Sequence, residues 1–140
     1  MPDPTPAGHV HVESHRIVMS EVDVAQIHFT TFFRWMDRSF CEWLADVGRP
    51  FTRLLEEGPG IPVVDAQCRY VARVRLDDLV TIRTHVAEAG RTSFRVRHEF
   101  RRGAELVGEG VLVHVCVERA SRRTLPVPDW LRAHVRPDAG

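Results

Sequence analysis

Between Ser20 and Asp37 the chain reads SEVDVAQIHFTTFFRWMD, and this segment holds the residues best placed to do chemistry. Glu21 and Asp23 precede a stretch with helical spacing, and Asp23 stands seven positions before Thr30, where that stretch begins. A carboxylate at a strand-to-helix junction lies near the unpaired amides and the positive dipole end of the helix. Together these supply a base or nucleophile and a site for an oxyanion. Taken by spacing alone, the same acid serves equally well as a cap or a solvated loop residue.

The elements that must position this segment follow from periodicity. Val10, Val12, Ile17 and Val18 mark a β-prone stretch over 9–19. From Thr30 to Val47 the period changes. Phe33, Met36, Phe40, Leu44 and Val47 recur at steps of three and four, which makes one apolar helical face, and Gly48 followed by Pro50 ends it. A short second helix is expected over 51–57 and a strand over 61–74. Val80, Ile82, Thr84 and Val86 then alternate with Thr81, Arg83, His85 and Ala87, as do Phe94, Val96, His98 and Phe100 with their neighbours. Val107, Val111, Val113, Val115 and Val117 form a last long strand, followed by a short turn around Trp130. A single amphipathic helix needs a sheet to cover it, so the fold class is α+β, with one long helix wrapped by a curved antiparallel sheet. Exposed sheet edges favour a homodimer or homotetramer.

Composition narrows the function. The 140 residues are 44% hydrophobic, enough for one packed domain over 9–140, while MPDPTPAG at 1–8 reads as a disordered arm. Basic and acidic residues number 19 each, and every basic one is Arg. With no positive excess, neither nucleic acid nor an anionic membrane is the expected partner. Cys41, Cys68 and Cys116 form no CxxC pair, which suits a cytoplasmic, reduced protein with no zinc site.

The segment resembles the 4-hydroxybenzoyl-CoA thioesterase branch of the hotdog superfamily. The matching residues are Glu21, Asp23, Ala25, Ile27 and Phe29, then Arg34, Trp35, Met36 and Asp37. Further matches follow in the same order at Gly60-Ile61-Pro62-Val63-Val64, at Asp77 to Ile82, and at Arg91 to Phe94. The resemblance implies a hotdog fold and hydrolysis of acyl-CoA or acyl-carrier-protein thioesters. It assigns Asp23 as nucleophile or general base, and the backbone N–H of Thr30 or Thr31 as the group that polarises the carbonyl. No metal or redox cofactor is implied. Arg91, at the turn matching the family's basic CoA-contact region, is the candidate for gripping phosphate, with Arg95 and Arg97 as assistants.

Three departures bear on the site. Gln26 stands where the family has Gly, the stretch between Phe29 and Arg34 is one residue short and lacks a proline, and Glu21 replaces the usual Asp. Gln26 is therefore read as a contact for substrate or for the attacking water, and His28 as a residue lining the pocket. Asp23 and His28 also have the spacing of hotdog enoyl-CoA hydratases, though without the Asn-Pro between them. A non-catalytic acyl-CoA-binding hotdog protein is the remaining alternative.

Overall fold

Phe32, Trp35, Met36, Ser39, Phe40, Trp43 and Leu44 recur at steps of three and four and are all buried, so they bind their helix to the sheet along one stripe. The computed structural model describes residues 6–138; the first five residues of the arm expected at 1–8 lie outside the described residues. The helix, α1, spans Thr31–Asp46. Its buried stripe is rotated from the expected one: Phe33 and Val47 are only half-buried, and the aromatic positions 32, 35 and 43 take the core. Gly48, at φ +78°, ends the helix in a backbone conformation that favours glycine.

Before α1 come β1 (His11–Arg16), a 3-10 turn (Met19–Glu21) and two very short strands, β2 (Val22–Asp23) and β3 (Gln26–Ile27). After it come α2 (Phe51–Glu57), β4 (Val63–Tyr70), β5 (Leu79–Ala89), β6 (Ser93–Arg102), β7 (Glu105–Val115) and α3 (Asp129–Arg132). Five strands form one antiparallel sheet in the order β1-β5-β6-β7-β4, with α1 on one face. This is the hotdog arrangement expected from the sequence.

Three of the four valines of β7 do not face the helix. Val111, Val113 and Val115 are half-buried on the other side, while Gly108, Gly110, Leu112 and His114 face inward, and Val117 lies beyond the strand. A β-carbon on Gly108 would meet Phe32 Cε2 at 2.6 Å, and one on Gly110 would meet Met36 Cε at 2.6 Å. Glycine here lets α1 lie close to the sheet. A bulge opposite Phe100/Arg101 breaks the alternation, so Val107 and Gly108 are both buried in succession. The Val107 carbonyl then accepts hydrogen bonds from the N–H groups of both Val71 and Ala72, tethering the chain as it leaves β4.

The core falls into two apolar clusters. Phe32, Trp35 and Met36 pack with Ile17, Val80, Ile82, Phe100 and Val107 near the helix start, and Phe40, Trp43 and Leu44 pack with Val86, Phe94, Val96 and Leu131 near its end. Between them sits a buried polar trio. Thr84 Oγ1 donates to Ser39 Oγ at 2.8 Å, and Ser39 Oγ donates to the Met36 carbonyl at 3.2 Å. Both hydroxyl protons being committed, the 2.8 Å contact between Thr84 and His98 leaves Nδ1 of His98 as the donor. Nε2 of His98 has no partner among the described residues, and burial pushes the imidazole down to about 3. His98 is neutral in the fold.

Candidate active site

Glu21 shows why the chemistry-bearing segment folds as it does. Its carboxylate accepts hydrogen bonds from Trp35 Nε1 at 2.9 Å and the Val18 N–H at 2.8 Å, and His15 Nε2 lies 2.9 Å away. Partial burial alone raises this carboxyl, but the bonds from Val18, His15 and Trp35 outweigh that effect and hold it below the ordinary glutamate range. The backbone carbonyl of Glu21 accepts from the His28 N–H at 2.8 Å and from Thr31 Oγ1 at 3.2 Å. One residue thus ties the 3-10 turn, the loop after β3 and the first turn of α1 together.

From this anchor β2 and β3 project as a hairpin in which Val22 faces Ile27 and Asp23 faces Gln26. Ile27 is buried in the core cluster near the helix start, and its N–H bonds the Val74 carbonyl at 2.8 Å. At the turn Val24 has φ +61° and is fully exposed, a strained conformation for a β-branched residue. Asp23 is exposed, and its carboxylate makes no hydrogen bond or ion pair among the described residues. As a directly facing pair, Asp23 and Gln26 present their side chains to the same face of the hairpin.

Asp23, Gln26, His28 and Phe29 form one wall of a cleft of about 470 Å³, and Tyr70 to Val74 form the other. The helix entrance is held from both sides. The Thr30 N–H donates to Nδ1 of His28 at 3.2 Å, and Thr30 Oγ1 lies 2.7 Å from the same nitrogen. Nδ1 is therefore an acceptor, and the ring hydrogen sits on Nε2. The Thr31 N–H is spent on the His28 carbonyl at 3.0 Å. His28 stacks on Phe29 and forms no hydrogen bond with Asp23. Of the helix aromatics, none lines the cleft; Phe29 and Tyr70 do.

Arg91 lies elsewhere. It occupies the β5–β6 turn, at the far end of β5 from the cleft, a distance on the order of 30 Å along an 11-residue strand. Arg95 is exposed on the sheet face away from α1, and Arg97 on that face is paired with Glu109 at 2.9 Å. Arg73 is the arginine that lines the cleft. The alternation of Arg73 and Arg75 around buried Val74 was its only signal in the sequence, and Tyr70 carried none beyond being the sole tyrosine. Among the described residues no three His, Cys, Asp or Glu side chains are gathered as for a metal ion, and no helix is long and apolar enough to cross a membrane.

The family model of the thioesterase-like superfamily matches residues 6–135. The chain belongs to that superfamily. Among its curated relatives is a 1,4-dihydroxy-2-naphthoyl-CoA hydrolase of Synechococcus sp. (strain CC9605), 28% identical over 86% of this chain and 88% of the relative. A 4-hydroxybenzoyl-CoA thioesterase of Pseudomonas sp. (strain CBS-3) is 33% identical over 62% of this chain and 64% of its own length. Among solved structures, a gentisyl-coenzyme A thioesterase superposes with a TM-score of 0.77 at 25% identity, covering 86% of this chain and 98% of that one. A 1,4-dihydroxy-2-naphthoyl-CoA thioesterase from Synechocystis reaches 0.82 at 17% identity, over 91% and 96%, and carries the argument for the hotdog fold alone. The thioesterase family fixes the class of reaction, thioester hydrolysis, for which the cleft must be judged.

Proposed function

We propose that this thioesterase-family chain hydrolyses acyl-CoA thioesters in the cleft beside Asp23, and that the acyl group is aromatic. The observation that carries this reading is an exposed carboxylate, without a hydrogen bond among the described residues, on a cleft that Ile27, Phe29, Val71 and Val74 also line, with the entrance to α1 following directly on Phe29. The names of the relatives support the aromatic acyl group, as does a lining that includes Ile27, Phe29, Tyr70 and Val74.

In this reading Asp23 either attacks the thioester carbonyl, breaking the C–S bond to release the thiolate and giving an acyl–aspartyl anhydride that water then hydrolyses, or takes a proton from a water whose oxygen attacks the carbonyl as the thiolate leaves. Thr30 offers the oxyanion donor, because its N–H is held only by a 3.2 Å bond to His28, whereas the Thr31 amide is committed to a backbone carbonyl. Gln26 orients the water from the position facing Asp23, and His28 lines the wall. Coenzyme A and a carrier protein present the same thioester, and free CoA is the form that the relatives' names support.

The same reading takes β4 as the strand through which two copies pair. This strand is one of the two sheet edges, is exposed on both faces along most of its length, and carries Val63 and Val64 outward. Antiparallel pairing with β4 of a second copy sets that copy's Val63 end beside Tyr70. It thereby brings Arg91 of the second copy to the cleft end, about 14 Å across three strand spacings. An extended pantetheine arm bridges such a gap, so Arg91 grips phosphate across a homodimer. A cytoplasmic setting agrees with three unpaired cysteine thiols.

A panel of aryl- and alkyl-CoA thioesters read by a free-thiol reagent tests the reading. Thiol release that falls at least a hundredfold in Asp23→Asn supports it, and release that survives the substitution removes Asp23 from the mechanism. Loss of enoyl absorbance without free thiol points instead to hydration, and a monomer by light scattering excludes the shared site.

A further inference from the structure

Tyr70 ends β4, and its ring is seated by stacking. It lies on Phe32 at 5.5 Å with the planes 12° apart, and Phe32 lies on Phe100 at 4.3 Å. Phe32 and Phe100 are buried and form a fixed platform for the Tyr70 ring, which is itself exposed to solvent on its other side. The Tyr70 hydroxyl donates to the backbone carbonyl of Phe29. The same peptide unit carries the Thr30 N–H at its other end. A peptide is planar with N–H and C=O opposed, so fixing the carbonyl fixes the direction of the amide hydrogen. A hydrogen bond at the carbonyl also polarises the unit and strengthens the N–H as a donor.

We propose that Tyr70 is a positioning residue for thioester hydrolysis: by holding the Phe29 carbonyl, its hydroxyl aims the Thr30 N–H at the thioester oxygen. The inference rests on the reading of the cleft given above. It assigns Tyr70 no contact with the reacting atoms. Partial burial beside Cys68 pushes the phenol up to about 12, so it stays protonated and able to donate throughout the neutral range. His28 holds the other end of the same peptide through the Thr30 N–H, and arriving substrate replaces that weaker, longer bond.

Tyr70→Phe in the full chain is the test, because phenylalanine keeps the stack on Phe32 and deletes only the hydroxyl. The expected result is a roughly tenfold lower kcat with KM within twofold and an unchanged Tm, since a misaimed donor weakens the transition state more than the ground state. In the 15N–1H spectrum the Thr30 amide signal moves in Tyr70→Phe. Unchanged kcat, a change confined to KM, or a Thr30 amide that does not shift each overturns the proposal. Asp23→Asn assayed alongside separates the two readings: if Asp23→Asn is inactive while Tyr70→Phe matches the wild type, only the role of Tyr70 fails. If Asp23→Asn stays active, the reading of the cleft fails first.

Discussion

Glu21 and Asp23 are two residues apart and do opposite things. Asp23 projects into solvent without a partner among the described residues, whereas Glu21 accepts from Trp35 and Val18, lies against His15, and offers its carbonyl to His28 and Thr31. Bonds to a part-buried carboxylate are among the stronger ones, and removing the acceptor leaves its donors unpaired. Glu21→Ala is therefore expected to cost about 2 kcal/mol of stability and to lower turnover by loosening the hairpin that carries Asp23. Glu21→Gln keeps most of the geometry and costs less. Urea melts of the two variants check the order, and equal stabilities for Ala and Gln count against the anchoring role.

At the scale of elements, the close approach of α1 to β7 depends on two missing side chains. Gly108 faces the rigid ring of Phe32 and Gly110 the flexible Met36, and a methyl group on either glycine would stand 2.6 Å from its neighbour. Gly108→Ala is expected to destabilise by about 1–3 kcal/mol, the usual cost of overpacking, and to displace the helix start enough to reduce thioester turnover. Gly110→Ala costs less where methionine gives way, although the Gln67 carbonyl at 3.0 Å sets a floor to that relief. Thermal melts of both variants rank them. These glycines also show where the sequence stops being legible. Strict periods gave α1 within a residue at each end, α2 at 51–57, and the alternating faces of β5 and β6. In β7 Val111, Val113 and Val115 turn away from the helix, because two of the inward positions are glycines suited to the helix they touch, a tertiary demand with no local pattern. The hairpin of β2 and β3 escaped notice because two-residue strands have no period. Asp23, Gln26, His28 and the Thr30–Thr31 entrance do come together around one helix start. Arg91 does not join them within the chain, because strand topology carries it to the far end of β5.

Across the whole molecule the buried imidazoles set the response to acid. An unfolded histidine titrates near 6.5, whereas burial holds His98 down to about 3, and burial lowers His114 and His134 as well. Between those limits the unfolded chain binds the extra proton. Stability is therefore complete above about pH 6.5 and is lost progressively as the pH falls toward 3. His98 alone is expected to remove about 2 kcal/mol between about pH 7.5 and pH 5. Denaturant titrations of wild type and His98→Gln at several pH values decide the matter: the variant should show the shallower dependence, and parallel curves refute the assignment.

The position of the Ser39–Thr84–His98 trio gives that acid response a particular form. It is a seam between two oil drops, one beneath the cleft and one under the far end of α1, and it belongs to neither. Damage to either drop is expected to stay on its own side: emptying the space of Phe32 loosens the cleft end, and emptying that of Phe94 loosens the end bearing α3. His98 borders both, so the cost of keeping its imidazole neutral in acid falls on both drops together.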